Sequence, residues 1–95
     1  MAEQVFKYDF AEALDTPEAI DVFLDDAFET EDPGHIAEAL GVVAKAKGMT
    51  RVSREAGLSR EQLYRTLSRE GNPTIMTVIK IMKSLGLSLT FKHSS

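Results

Sequence analysis

Apolar residues recur three and four positions apart along most of the chain, which is the spacing of an amphipathic helix. The first such stripe follows Thr16 and Pro17, a capping residue and a proline that mark a helix start. Its members are Ile20, Phe23, Leu24, Ala27 and Phe28. Asp32 and Pro33 repeat the start signal, and Gly48 should end this second helix.

Two shorter helices with a tight turn between them are predicted next. Thr50 can cap the first of them, and Gly57 should end it. Ser59 and Gln62 fit a capping box, in which each side chain bonds the backbone N–H of the other residue. The fourth helix therefore begins after Ser59 and should run to about Glu70.

A fifth helix and a strand are predicted for the C-terminal part. Thr74 can cap the helix, and Gly86 lies where a C-terminal cap belongs. Met76 and Ile81 lie off the predicted inward stripe of this helix. That stripe comprises Ile75, Val78, Ile79, Met82 and Leu85. Residues 87–92 alternate apolar and polar as a half-buried strand does, and such a strand needs a partner, which can be its copy in a second subunit.

The predicted fold class is all-α: a five-helix domain with an N-terminal acidic arm and a short C-terminal β-strand. The chain has 95 residues, the size of one small domain. Residues 1–31 are predicted to form the acidic arm and the first helix, and residues 32–95 a second domain that holds the other four helices and the terminal strand. A core this small gains stability from burying further surface, so a homodimer is expected.

The charges are divided sharply between the two parts of the chain. Residues 1–40 carry one basic side chain against twelve acids, a net charge of −11, whereas residues 41–95 carry ten against three, a net charge of +7. Such a division suggests two surfaces for two partners, one polyanionic and one basic. The alternative is that both surfaces are simply solvated.

The composition excludes several classes of protein. There is no cysteine, and the two histidines, His35 and His93, are far apart, so neither a metal site nor a cofactor is expected. No nucleophile or pair of carboxylates suggests an active site, so we do not expect an enzyme. The chain has no apolar run long enough for a membrane span and its start lacks the basic flank of a signal peptide, which predicts a cytoplasmic protein.

Residues 50–70 are typical of a helix-turn-helix unit that binds double-stranded DNA. Gly57 permits the tight turn, and the small residues Ser53 and Ala56 let the two helices cross closely. With Leu63 pointing inward, the second helix can lie in the major groove and read base edges.

The outer face of that second helix carries the chemistry for reading DNA. Arg65 can bond bidentately to guanine, and Glu61 can accept a hydrogen bond from cytosine. The predicted DNA-binding residues are Thr50, Arg51, Ser59, Arg60, Glu61, Gln62, Tyr64, Arg65 and Arg69. The alternative is that Glu61 and Arg65 are an ordinary surface pair on a structural hairpin, but five arginines between positions 51 and 69 favour DNA.

Residues 32–91 resemble the Xre/Cro/cI-type helix-turn-helix family, through the segments MTRVSREAGLSREQLYRTLS and GNPTIMTVIKIMKSLGLSL. More narrowly, residues 10–91 resemble the addiction-module antidote proteins, a HigA-like group of small antitoxins. The segment FAEALDTPEAIDVFLDDAFETEDPGHIAEALGVVAKAKGM adds to this narrower likeness. The resemblance implies an antitoxin that neutralises a RelE/HigB-like ribonuclease toxin and represses the operon that encodes both proteins.

Two positions depart from the family pattern. Met49 stands where the family commonly has glutamine, which puts one contact to phosphate or base in doubt. Thr66 stands where an apolar residue is usual, and Leu67 is expected to take its place in the core.

The acidic N-terminal part is predicted to bind the small basic toxin protein, because DNA would repel it. Acids would steer the encounter, and apolar side chains would hold the partner. The predicted toxin-binding residues are Phe6, Tyr8, Phe10, Leu14, Ile20, Phe23 and Leu24. The alternative is that the first helix packs on the core of this chain, so that only residues 1–14 are loose.

Two other functions compete with the antitoxin. One is a stand-alone repressor whose acidic arm folds back or modulates DNA affinity. The other is a protein-interaction module that has lost DNA binding. The antitoxin and the stand-alone repressor both require DNA binding that weakens steeply as salt rises, whereas the interaction module does not.

Overall fold

The computed structural model describes residues 14–94, and these residues contain five helices. They are α1, Pro17–Glu29; α2, Pro33–Lys47; α3, Met49–Ala56; α4, Arg60–Thr66; and α5, Ile75–Ser84. α1 packs against α2, α2 against α3, and α3 against both α4 and α5. The prediction of five helices in an all-α arrangement is confirmed for this part of the chain.

Most of the helix starts follow from capping side chains. The hydroxyl of Thr16 accepts from the N–H of Ala19, the carboxylate of Asp32 accepts from that of Gly34, and the hydroxyl of Thr74 accepts from that of Thr77. Each bond satisfies a donor that the first turn of a helix leaves unpaired. The predicted starts of α1, α2 and α5 are therefore confirmed.

The predicted cap of α3 is wrong. Helix α3 begins at Met49, one residue earlier than predicted, and Gly48 is its cap residue without a side-chain bond. Thr50 is thus already inside the helix, where its carbonyl accepts from the hydroxyl of Ser53 at 2.9 Å.

The predicted end of the fourth helix at Glu70 is also wrong, since α4 ends at Thr66. Leu67 turns into the core at 6% exposure, and the chain then folds back past the helix end. A Cβ atom on Gly71 would lie 2.0 Å from the carbonyl oxygen of Thr66, so only glycine fits there. The chain therefore leaves the helix before the turn residues that were predicted to end it, and Gly71 permits the close return.

The core draws side chains from all five helices. The largest fully buried side chains are Leu40, Val43, Val52, Leu63 and Ile81. Ile20, Leu24 and Ala27 of α1 lie in the same apolar cluster, so α1 contributes to the core of this chain.

The predicted inward stripe of α5 is wrong in part. Ile81, Met82 and Leu85 are buried and Val78 is half-buried, whereas Ile75 is 69% exposed and Ile79 is 40% exposed. Helix α5 is therefore rotated relative to the prediction, and Ile81, which was predicted to lie off the inward stripe, is fully buried in the common core.

The predicted C-terminal strand is wrong within the described residues, because residues 87–94 form neither helix nor strand. The N–H of Leu87 donates to the carbonyl of Met82 at 2.8 Å, which closes the end of α5 after Gly86, as predicted for that glycine. A strand exists only where a second strand bonds its backbone, and residues 14–94 of one chain supply none.

We predict that Gly71→Ala destabilises the protein more than Gly57→Ala does. Gly57 has a φ of 74° but open space around its missing Cβ, so alanine there costs about 1–2 kcal/mol. At Gly71 the new methyl group meets the backbone of Thr66, and we expect a cost of at least about 3 kcal/mol. Thermal unfolding followed by circular dichroism measures both, and equal melting temperatures for the two variants would contradict the close approach at Gly71.

Candidate nucleic-acid interface

A tight turn at Gly57 joins α3 to α4. The N–H of Leu58 donates to the carbonyl of Ser53 at 2.9 Å, and the N–H of Gly57 donates to that of Arg54 at 3.3 Å. Gly57 adopts the left-handed conformation that this pair of bonds requires. The turn predicted from the sequence is present, and it fixes where α4 starts relative to α3.

Small and apolar side chains fill the space between the two helices. Ser53 and Ala56 are buried at 5% and 3% exposure, while Val52 and Leu63 are fully buried. The hydroxyl of Ser53 donates to the carbonyl of Thr50, so its burial leaves no unpaired polar group. This packing turns the opposite face of α4 toward solvent.

The start of α4 is held by the capping box that the sequence predicts. The hydroxyl of Ser59 accepts from the N–H of Gln62 at 3.0 Å, and the side-chain oxygen of Gln62 accepts from the N–H of Ser59 at 2.9 Å. Both residues were predicted to bind DNA. The structure gives each of them a capping role, which leaves the hydroxyl hydrogen of Ser59 and the side-chain N–H groups of Gln62 as donors.

The exposed face of α4 carries Glu61 and Arg65, as predicted. Among residues 14–94, no ion pair joins these two side chains, and no hydrogen bond or ion pair engages the guanidinium of Arg65. The alternative interpretation required a pair between them. Arg65 instead presents all its donors to solvent.

Two cations lie near the ring of Tyr64. Its ring centroid is 5.8 Å from the Nζ atom of Lys45 on α2 and 5.8 Å from the guanidinium carbon of Arg60, a spacing at which cations attract an aromatic ring. The guanidinium of Arg60 also donates to the hydroxyl of Tyr64 at 3.4 Å. Lys45 was missed by the sequence analysis, because only the packing of α2 against the other helices brings it to this face.

Arg51 and Thr50 lie on α3. The guanidinium of Arg51 is 3.2 Å from the carboxylate of Glu55, one helical turn away, and both side chains are largely exposed. Exposed pairs of this kind contribute only about 0–1 kcal/mol. The pair is therefore weak enough for an external anion to compete for Arg51.

Arg69 is placed differently from the prediction. It lies beyond the end of α4, where its guanidinium reaches Asp32 at 3.5 Å and Glu38 at 3.2 Å. Its side chain also lies against Gly34, where an added Cβ would be 2.9 Å from the Cγ atom of Arg69. Its contact with DNA stays a prediction, and any phosphate would have to compete with two carboxylates.

The residues predicted to bind the toxin fall into three groups. Leu14, Ile20 and Leu24 are buried in the core of this chain, so they are not exposed anchors, because the stripe of α1 faces the other helices. Phe23 is half-buried and packs against the same cluster. Phe6, Tyr8 and Phe10 lie outside the described residues.

Residues 14–94 contain neither a metal-binding cluster nor a membrane-spanning helix. No group of three or more histidine, cysteine, aspartate or glutamate side chains is arranged to hold a metal ion. None of the helices in this part is long and apolar enough to span a bilayer.

Comparison with known proteins gives one family. The family model described as probable addiction module antidote protein matches residues 4–93. An uncharacterized protein from Haemophilus influenzae (strain KW20 / Rd) is 42% identical over 94 residues, which cover 99% of this chain and 97% of that relative. No solved structure matches the chain.

Proposed function

Because the chain belongs to the family of probable addiction module antidote proteins, we propose that it neutralises a RelE/HigB-like ribonuclease toxin and represses its own operon. Membership of an antidote family implies a toxin partner. The class of that toxin, the operator DNA and the repression are the parts that we add. In this proposal the protein acts by binding alone and catalyses no reaction.

The observation that carries DNA binding is the unpartnered guanidinium of Arg65 on the exposed face of α4. Leu63 on the opposite face of α4 is fully buried, which fixes the direction of Arg65. A helix presented in this way after a tight turn fits the major groove, and a free guanidinium is the usual reader of guanine. We therefore assign α4 as the recognition helix, with Glu61 beside Arg65.

A second set of cations surrounds the recognition helix and suits phosphates. Arg51, Arg60 and Lys45 come from three different helices and are exposed. Contacts to phosphate position a protein on the duplex without reading sequence. Tyr64, which is near both Lys45 and Arg60, adds a hydroxyl to the same group.

The exposed apolar face of α5 favours a homodimer through this helix. Ile75, Met76 and Ile79 are exposed by 69%, 62% and 40%, and helical spacing places them on adjacent parts of one face. Covering these side chains with a second copy would remove apolar surface from water. A dimer would also place two recognition helices about 34 Å apart for a palindromic operator.

We predict that Arg65→Ala lowers operator affinity by about 1–3 kcal/mol and relaxes the preference at one base pair, because a bidentate contact is lost. Arg51→Ala should weaken binding to all sequences alike, and the exposed Lys80→Ala on α5 serves as the control. Binding titrations against single-base variants of the operator measure these effects. Unchanged sequence preference in Arg65→Ala would rule out this residue as the reader.

We predict that Ile75→Glu/Met76→Glu abolishes the dimer, because it places charges on the apolar face of α5. The expected loss of self-association is roughly tenfold or more, measured by sedimentation. Lys47→Glu changes the net charge by the same amount at an exposed residue of α2, outside the apolar face of α5, and should leave the dimer intact. If the double variant remained dimeric, another surface would have to join the two copies.

The toxin partner is tested by growth. Host cells that express the toxin encoded with this chain should stop growing, and co-expression of this chain should restore growth. A stable complex of the two proteins should then be isolated. The toxin is expressed from a promoter that lacks the operator, so repression cannot restore growth and only binding of the toxin can. A stand-alone repressor would therefore give no rescue and no complex.

A further inference from the structure

A groove separates α1 from the C-terminal segment 87–92. Its volume is about 570 Å³, and its floor is apolar: Leu24, Phe28, Met82 and Leu87. The C-terminal segment is linked to α1 by the ammonium of Lys92, which lies 3.4 Å from the carboxylate of Glu29. The groove therefore has two walls, one helical and one formed by the segment that the sequence predicts as a strand.

Large apolar side chains at the rim of this groove are exposed to solvent. Phe91 is 87% exposed, Val22 is 64% exposed and Leu89 is 40% exposed. Single exposed apolar residues are common on protein surfaces, but three around one apolar groove form a continuous patch. Such a patch is typical of a surface that another molecule covers.

The same rim is acidic. Asp21 and Asp25 line the groove beside Val22, and the other exposed acids of α1 are Glu18, Asp26 and Glu29. Helix α1 carries no basic residue. Of the six side chains from α1 and the C-terminal segment that carry charge, only Lys92 is positive, and Glu29 already pairs with it. The field at the groove is therefore negative.

We propose that this groove binds an amphipathic segment of a basic protein, with apolar side chains on one face and lysine or arginine beside them. The apolar side chains would enter between α1 and residues 87–92, and the flanking cations would meet Asp21 and Asp25. This inference rests on the proposed function, in which such a protein is the toxin. It moves the toxin-binding surface from the buried stripe of α1 to its exposed acidic face and the C-terminal segment.

Charge also argues against two other occupants. Residues 1–13 contain aromatic side chains that could fill the groove, but they carry three acids against one lysine and would be repelled by Asp21 and Asp25. A second copy of the chain offers the exposed apolar face of α5, whose lysines, Lys80 and Lys83, provide less charge than the five acids of α1. A basic partner satisfies both the apolar floor and the acidic rim.

Phe91 is the residue expected to contribute most to the contact. Aromatic side chains that become buried at the centre of an interface dominate binding, and this one loses nearly all its exposure only when a partner covers it. Because it is so exposed in the free protein, Phe91→Ser should leave folding unchanged. It therefore separates binding from stability.

The experiment is a nuclear magnetic resonance titration of the full ¹⁵N-labelled chain. The probe is a synthetic amphipathic peptide of leucine and lysine at helical spacing, and the control peptide has serine in place of each leucine. We expect the amide signals of Val22, Leu89 and Phe91 to move with the leucine peptide alone. Shifts elsewhere, or equal binding of the serine peptide, would overturn the proposal.

Matched variants test the role of the rim. Asp21→Lys/Asp25→Lys and Phe91→Ser should each lower peptide affinity roughly tenfold or more. Glu18→Lys/Asp26→Lys changes the net charge of α1 by the same amount at acids that do not line the groove, and it should retain most of the affinity. Equal losses in the two double variants would mean that the peptide senses only the general charge, and the proposal would fail.

The other occupants give distinct results in the free protein. If residues 1–13 filled the groove, Phe6→Ser would shift the signals of Leu89 and Phe91 without any peptide. If a second copy filled it, these signals would move with protein concentration. Either result would overturn the proposal of a basic partner.

The growth assay separates this inference from the proposed function. If the wild-type chain rescues cells from the toxin and the control double variant does too, loss of rescue in Phe91→Ser and Asp21→Lys/Asp25→Lys supports the groove. If every variant rescues, the groove is wrong and the antidote function stands. If the wild-type chain gives no rescue but the leucine peptide still binds at the groove, the antidote function fails and the groove remains a site for basic segments.

Discussion

The placement of α4 depends on the burial of two leucines from a very short helix. α4 has seven residues, too few to be stable as an isolated helix. Leu63 inside it and Leu67 just beyond it are both buried, and each such side chain contributes about 1.5–3 kcal/mol. The turn at Gly57 and the capping box fix the start of α4, while the close approach at Gly71 fixes its end. The roles proposed for Arg65 and Glu61 depend on this packing, because the burial of Leu63 directs both side chains to solvent.

Charge divides the molecule into an acidic part and a basic part. In the proposed function, the acids of α1 face the toxin and the cations around α4 face DNA. Within residues 14–94, two exposed ion-pair sites connect the acidic part of the chain to the basic part: Arg69 with Asp32 and Glu38, and Lys92 with Glu29. Exposed pairs of this kind contribute little to stability. They place Arg69 and Lys92 beside acids of the N-terminal part, and an external anion can still compete for either cation.

Helix α1 links the core to the proposed groove. One face of α1 contributes Ile20, Leu24 and Ala27 to the core, and the adjoining exposed face carries Asp21 and Asp25 of the groove rim. Met82 lies both in the core and on the floor of the groove. The surface proposed for a basic partner is therefore built on the same packed helices that hold α4, rather than on a separate arm.

Local interactions decided what the sequence alone could predict. Thr16, Asp32, Ser59 and Thr74 cap helices because a side chain and a backbone N–H a few residues away are sufficient for that bond, and Gly57 marks its turn for a similarly local reason. The exposed positions of Glu61 and Arg65 followed from helical spacing once Leu63 was taken as inward. Tertiary structure decided the remainder, because the remainder depends on contacts between different parts of the chain. Helix α4 ends early where Gly71 meets Thr66, and α5 buries Ile81 while it leaves Ile75 exposed. Arg69 pairs with Asp32 and Glu38, and residues 87–94 form no strand because no partner strand is present within residues 14–94. Periodicity identifies an amphipathic helix, but only the shape of the surrounding core selects which apolar side chains it buries.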